Sequence, residues 1–224
     1  MPDHRKDIIA SINQISGKYS AYEVFTDWIR CMALSISNTC DMKRDKVWED
    51  REQAYKDTMR KYSLEERKKL CEMMVMLAET LDDGPEDVLG DIYMRSGMGS
   101  KAAGQFFTPY HLCVLTARLS MQAQIEKYKE GEKLTLNEPA CGGGAMIIAA
   151  AQILQEEGIN YQKVMDVVAQ DLDWKGVYMC YVQLSLLGIS ATCVQGSTLS
   201  DPYDPARTER AHILRTPKRI GVLI

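Results

Sequence analysis

A short apolar run, Leu134-Thr135-Leu136, leads into Asn137-Glu138-Pro139-Ala140-Cys141-Gly142-Gly143-Gly144, and an apolar stretch from Ala145 to Leu154 follows. No other segment of the 224-residue chain restricts its fold as much. The order reads as strand, tight glycine turn, helix. Glycine has no side chain and tolerates positive φ, so a ligand can approach bare backbone at such a turn. The free N–H groups of the helix start then face that ligand. The spacing is not that of a P-loop, because GxxxxGKS/T is absent, and Gly142-Gly143-Gly144 also departs from GxGxxG. An acid and a proline precede the glycines instead, which argues against a pyrophosphate and for a ligand bearing positive charge.

From Leu134 onward the pattern alternates strand, helix, strand, helix, strand. The second strand is expected over 164–171, the second helix over 173–187 and the third strand over 190–194. In that helix Trp174, Val177, Tyr178, Tyr181 and Val182 share a face. Alternation of this kind predicts a parallel sheet covered by helices. Ligands of open parallel sheets sit at the carboxyl ends of the strands. The second such end is Asp171, an acid that can accept from ribose hydroxyls or else cap the next helix; Asp173 is better placed for capping. The third end is Gln195-Gly196-Ser197-Thr198, whose polar groups could line an adenine pocket.

Residues 1–100 read as a helical region and 101–224 as the α/β domain, with the glycine-rich 97–104 stretch between them. Tyr22, Phe25, Trp28, Ile29, Met32, Ala33 and Ile36 form one helical face behind a Ser20/Glu23 capping box. Ser63 and Glu66 make a second box, before a stripe of Leu70, Met73, Met74, Leu77 and Leu81. The run Met73-Met74-Val75-Met76 reads as core packing. Asp82-Asp83-Gly84-Pro85 breaks that helix, and 88–94 begins another. A helix after Pro109 is expected to turn Leu112, Leu115 and Leu119 inward. Hydrophobic residues are 46% of the chain, enough for a core, and the net charge of -4 gives no overall basic footprint for nucleic acid. Seven scattered cysteines without a CxxC pair fit reduced thiols rather than zinc or a disulfide framework. With no signal peptide and no apolar run of membrane-spanning length, a soluble cytoplasmic protein without metal is expected.

The stretch 137–144 resembles the cofactor motif of the N6-adenine DNA methyltransferases, and more narrowly that of the modification subunits of type I restriction-modification systems. Gly104-Gln105-Phe106-Phe107-Thr108-Pro109 is similar to that family's other cofactor motif, and Val88-Leu89-Gly90-Asp91-Ile92-Tyr93 to the segment leading into it. Gln170-Asp171 falls where the family has its ribose-binding acid. The resemblance spans roughly residues 85–200 and implies a Rossmann-like methyltransferase fold, shortened at its C-terminal side, with S-adenosylmethionine as cofactor. It implies that Glu138 accepts from the ammonium of the methionine part. Gly142 and Gly144 would let the backbone close on it, and Pro139 and Ala140 belong to the same cofactor-binding stretch. Thr108 and neighbouring backbone would hold the carboxylate, with Phe106 or Phe107 packed alongside and Gln105 and Pro109 in the same cofactor-binding stretch. Asp171 would hold the ribose, Leu172 would press on the adenine, and Ser197 stands where many relatives carry an acid near that base.

The family also needs an Asn/Asp-Pro-Pro-Tyr/Phe loop after a fourth strand, and the chain contains no Pro-Pro dipeptide. Asp201-Pro202-Tyr203 reads as a turn after the third strand, and 219–224 as the late strand candidate. No catalytic residue is assigned. Three readings stay open: a cofactor-binding protein that methylates DNA adenine only with a partner subunit supplying the loop, a non-catalytic cofactor-binding or interaction module, and a fragment of a longer gene. DNA and a specificity or catalytic subunit are the implied partners. The basic residues Arg207, Arg210, Arg215, Lys218 and Arg219 could touch phosphates or form a solvated face.

Overall fold

The computed structural model describes residues 3–98, 107–128 and 131–222. Five helices come first: α1 (Arg5–Ile15), α2 (Ala21–Cys40), α3 (Lys46–Arg60), α4 (Leu64–Leu81) and α5 (Val88–Arg95). Both capping boxes form, Ser20 with Glu23 and Ser63 with Glu66, and fix where α2 and α4 begin. Phe25, Trp28, Ile29, Met32, Ala33 and Ile36 are buried on α2, with Trp28 Nε1 donating to the Leu70 carbonyl at 3.0 Å. Tyr22, expected on the same face, is exposed and lies beneath the Lys175 ammonium. On α4 the stripe is buried except for Met74, which is half-buried against the core.

Helix α6 (Tyr110–Lys127) packs on α7 (Ala145–Glu156), and its inward face is not the leucine face. Leu112, Leu115 and Leu119 are 45%, 55% and 70% exposed, whereas Cys113 and Ala117 are buried against Ala145, Ala149 and Ile153. Small residues on both helices let the backbones approach, and close packing along that seam outweighs the leucines' larger area. The expected inward leucine stripe is therefore corrected.

The sheet holds β1 (Leu134–Glu138), β2 (Met165–Asp171), β3 (Ser190–Gln195) and β4 (Ile213–Arg215) in that spatial order. The first three are parallel, and β4 runs antiparallel to β3. The register places Leu136, Val167 and Ala191 in one row and Glu138, Ala169, Cys193 and Leu214 in the next, all on one face. Helices α7 and α9 (Trp174–Leu186) connect the parallel strands, stepping the same way across the sheet, so crossovers of the usual hand put both on one side. Helix α9 is buried nearly all round, between the sheet and α2, which explains its run of Val177, Met179, Cys180, Tyr181, Val182 and Leu184. This is an α/β, Rossmann-like arrangement with a helical layer, and one buried cluster runs from Ile8 to Leu214.

Two local expectations change. A single turn, α8 (Tyr161–Val164), precedes β2, so that strand starts at Met165. The late strand is 213–215 rather than 219–224: Pro217 opens a 3-10 turn to Ile220, and Gly221 leaves it at φ +78°. Proline cannot donate to a ladder and fixes φ, which ends the strand before it. Residues 223 and 224 lie outside the described ones. Among the described residues no helix is long and apolar enough to cross a membrane.

Candidate cofactor site

The carboxyl ends of β1 and β2 meet the start of α7. Gly142 has φ +47° and Gly144 φ +92°, a backbone that other residues adopt only with strain. Space for side chains is tight there as well. A Cβ on Gly142 would lie 3.0 Å from Phe107 Cε1, one on Gly143 3.2 Å from Met179 Cε, and one on Gly144 3.0 Å from Cys180 Sγ. The partner of this turn on α9 is Gly176, whose Cβ would meet the Gly142 carbonyl oxygen at 3.2 Å. Helix α9 thus lies directly against the turn, and small residues on both surfaces allow that approach.

The Asp171 carboxylate clamps the turn. Its Oδ2 accepts from the Gly142 N–H at 2.8 Å and its Oδ1 from the Asp173 N–H at 2.9 Å. Asp173 is the N-cap of α9, accepting from the Lys175 N–H at 3.0 Å. The other strand ends are tied in the same way. Cys141 N–H donates to the Gln170 carbonyl, Gly196 N–H to the Asp171 carbonyl, and Thr198 Oγ1 to the Pro139 carbonyl at 2.6 Å. Glu138 turns back so that Oε1 accepts from the Ala140 N–H at 3.2 Å.

A cavity of about 330 Å³ opens here, lined by Phe107, Thr108, Ala140, Gly142 and Asp171 of the expected residues, and also by Cys113, Cys141, Gly143, Ala145, Met146 and Gly176. Its size falls within the range of small-ligand pockets. Ala145 and Met146 belong to the first turn of α7, where backbone N–H groups have no acceptor within the helix. Pro109 caps α6 next to this wall without lining it, and Gly144 packs beneath. Glu138, Pro139, Leu172 and Ser197 also stand outside the lining; Leu172 is 68% exposed, and Ser197 is half-buried. Gln105 and Phe106 lie outside the described residues.

Support for this wall comes from residues outside the two cofactor motifs, Tyr93 and Leu89 of the segment leading into them among these. Phe107 packs edge-on against Tyr93 (centroids 5.2 Å apart), and the Tyr93 hydroxyl accepts from the buried Lys175 ammonium at 3.1 Å. Gln183, fully buried on α9, donates to Asp87 Oδ1 and to the Gly143 carbonyl, each at 2.9 Å, and accepts from the Leu89 N–H. Burial holds the Asp87 carboxyl above its ordinary value, against the pull of hydrogen bonds from Gln183 and Gly90. The Cys180 thiol, fully buried, is raised well above the ordinary range by its hydrogen bonds with Cys141 and Cys193 and by burial, so it is inert packing under the turn. Sequence signals for Gln183 and Gly176 are slight: one polar residue in an apolar helix, and one glycine near its start.

Asp201-Pro202-Tyr203 is irregular loop, held by Gln170 from β2, which donates to the Asp201 carbonyl at 2.9 Å and accepts from the Tyr203 N–H at 3.0 Å. Of the basic residues named above, Arg207 pairs with Asp204, Arg210 with Asp41 and Asp45, and Arg219 with Asp166.

The sequence model of the N-6 DNA methylase family matches residues 84–217, from the loop before α5 through β4. The chain belongs to that family. Its glycine turn, clamped acid and cavity all fall within the matched span. No curated protein matches the chain. Among solved structures, a class I S-adenosylmethionine-dependent methyltransferase from Listeria monocytogenes aligns at 13% identity and a TM-score of 0.42, over 88% of this chain and 54% of that one. The methyltransferase subunit of a type I restriction-modification system from Streptococcus thermophilus aligns at 16% identity and a TM-score of 0.45, over 90% of this chain and 40% of that one. The chain spans about half the length of these structures or less.

Proposed function

We propose that this N-6 DNA methylase family chain binds S-adenosylmethionine at the carboxyl ends of β1 and β2. In this reading it serves methylation of adenine N6 in DNA as part of a larger assembly of the type I modification-subunit kind. The observation that carries the reading is the cavity that collects Phe107, Thr108, the glycine turn and Asp171 from separate elements. The donor set suits this cofactor: backbone N–H groups at the start of α7 and the Thr108 hydroxyl for a carboxylate, an acid for ribose hydroxyls, and an aromatic wall. Glu138 keeps carboxylate lone pairs beyond its bond to Ala140 and would take the ammonium; Leu172 and Ser197 would flank the adenine. The cofactor, when bound, supplies the methyl group. The chain's own residues bind and orient it.

An Asn/Asp-Pro-Pro-aromatic run is absent from this sequence. Such a loop accepts from the adenine amino group and stacks on a base that has left the duplex. The isolated chain is therefore expected not to methylate DNA, with a catalytic or specificity subunit completing the site. Calorimetric titration with S-adenosylmethionine and S-adenosylhomocysteine tests the reading, and Glu138→Ala and Asp171→Ala should weaken both. A folded chain that binds neither would overturn it. Robust adenine methylation of mixed-sequence DNA by the chain alone would overturn the need for a partner.

One observation favours a second reading, an interaction module without cofactor. Both oxygens of Asp171 and one of Glu138 already serve backbone N–H groups, so these acids have a structural task of their own. That reading predicts a stable partner complex that forms equally well without cofactor.

A further inference from the structure

The Leu172 backbone is held from outside the cavity. Gln195 Nε2 donates to the Leu172 carbonyl at 2.8 Å, and Gln195 Oε1 meets His212 Nδ1 at 2.7 Å. A carbonyl only accepts, so the amide nitrogen of Gln195 must face Leu172 and its oxygen must face the imidazole. His212 therefore carries a proton on Nδ1 and donates it. The ring is kept in plane by a stack of aromatics: His212 lies over Trp174 (centroids 6.3 Å apart, 18° between planes), and Trp174 lies over Tyr178 (4.9 Å, 24°). Immediately before β4, His212 is anchored in turn. Arg210 pairs with Asp41 and Asp45, and Arg51 donates to the Ile213 carbonyl at 2.8 Å. A continuous path thus runs from the α2–α3 connection, through the turn before β4 and the end of β3, to the main chain of the residue after Asp171.

We infer that Gln195 and His212 are positioning residues that set Leu172 as the adenine wall of the cofactor site, and that the helical layer holds them in place through Arg210 and Arg51. The inference rests on the cofactor reading above and adds to it the means by which the adenine end is shaped. Leu172 is otherwise an exposed apolar residue with a free side chain. Its use as a wall depends on a fixed backbone.

The test compares wild type with Gln195→Leu, His212→Phe and His212→Asn by calorimetry, using S-adenosylmethionine and 5′-methylthioadenosine as probes. Phenylalanine keeps the stack on Trp174 and loses the donor. Asparagine places an N–H donor near the position of Nδ1. Losing one neutral hydrogen bond corresponds to roughly three- to tenfold in affinity. Gln195→Leu and His212→Phe should weaken both probes by a factor of that order, and by similar factors, because both probes carry the adenosine end. His212→Asn should restore most of the loss, which a purely structural role of the ring would not allow. Wild-type binding with unchanged affinity in His212→Phe would overturn the inference and leave the cofactor reading standing. Equal losses in His212→Phe and His212→Asn would overturn it too. Absence of wild-type binding would reject both, since there would be no adenine to position.

Discussion

Two aspartates two positions apart, Asp171 and Asp173, give a sharp test of how the turn is held. Replacing Asp171 by asparagine preserves shape but leaves one oxygen where two amides now find acceptors, Gly142 N–H at 2.8 Å and Asp173 N–H at 2.9 Å. A hydrogen bond to a charged acceptor contributes about 1.5–3 kcal/mol, and a neutral one about 1 kcal/mol. Asp171→Asn therefore loses one charged bond outright, weakens the other, and turns an NH₂ group toward an N–H. The side chain is half-buried, so water replaces part of what is lost. The expected cost is about 2–3 kcal/mol, read from urea denaturation as a lower midpoint at unchanged slope. Asp173→Asn is the control. Asparagine caps helices as well as aspartate does, but it gives up the ion pair of the Asp173 carboxylate with the buried Lys175 ammonium at 3.8 Å, so the change there should stay within about 1 kcal/mol. If Asp171→Asn is as harmless as the control, the clamp does not hold the turn.

Three further expectations follow from the packing. Gly144→Ala must adopt φ +92° with its Cβ 3.0 Å from Cys180 Sγ; strain and overpacking together should cost about 2–4 kcal/mol in urea denaturation. Adding Cys180→Ala should recover the overpacking part, and strict additivity of the two changes would refute the contact. Asp87, with its pKa raised by burial, adds stability at pH below its unfolded value and loses that contribution as pH rises through the folded one. The stability of Asp87→Asn relative to wild type should therefore rise with pH just above the ordinary carboxylate range; a pH-independent difference would contradict this. Leu115→Gln should change stability by no more than about 0.5 kcal/mol, whereas Ala117→Leu should cost about 1–3 kcal/mol; the reverse ranking would restore the leucine face as the inward one.

Where the sequence was legible, a local rule and the tertiary environment agreed. Ser20/Glu23 and Ser63/Glu66 satisfy the first-turn donors of α2 and α4 within four residues, so the helix starts could be placed without knowing the fold. The strand-turn-helix at 134–154 and the acid ending β2 are likewise local patterns. Legibility failed where distant partners decide. The inward face of α6 depends on which helix lies opposite, and Ala145, Ala149 and Ile153 of α7 select Cys113 and Ala117 over three leucines. Strand β4 has only three residues, too few for a periodic signal, and exists because β3 offers an edge and Arg51 holds Ile213. Gln183, Lys175 and Gly176 each contact residues far away in sequence, and no spacing rule marks them.

The same geometry limits what the glycines themselves can argue. Gly144, by its φ of +92° and its contact with Cys180, and Gly176, by its approach to the Gly142 backbone, are favoured by the packing of the turn on α9, and they would be favoured if no ligand ever entered. An intact glycine run is thus evidence for the fold before it is evidence for binding. Features that packing does not require carry more weight. Thr108 is exposed at the mouth of the cavity, and the first turn of α7 presents its backbone there. Phe107 joins the two motifs physically, its ring lying on Gly142 while Tyr93 and Lys175 brace it from behind. Because Gly142 also gives its N–H to Asp171, one residue links the aromatic wall to the strand-end acid. A perturbation at Gly142 should therefore disturb both ends of the cavity together, whereas one at Gln195 should reach only the end beyond Asp171.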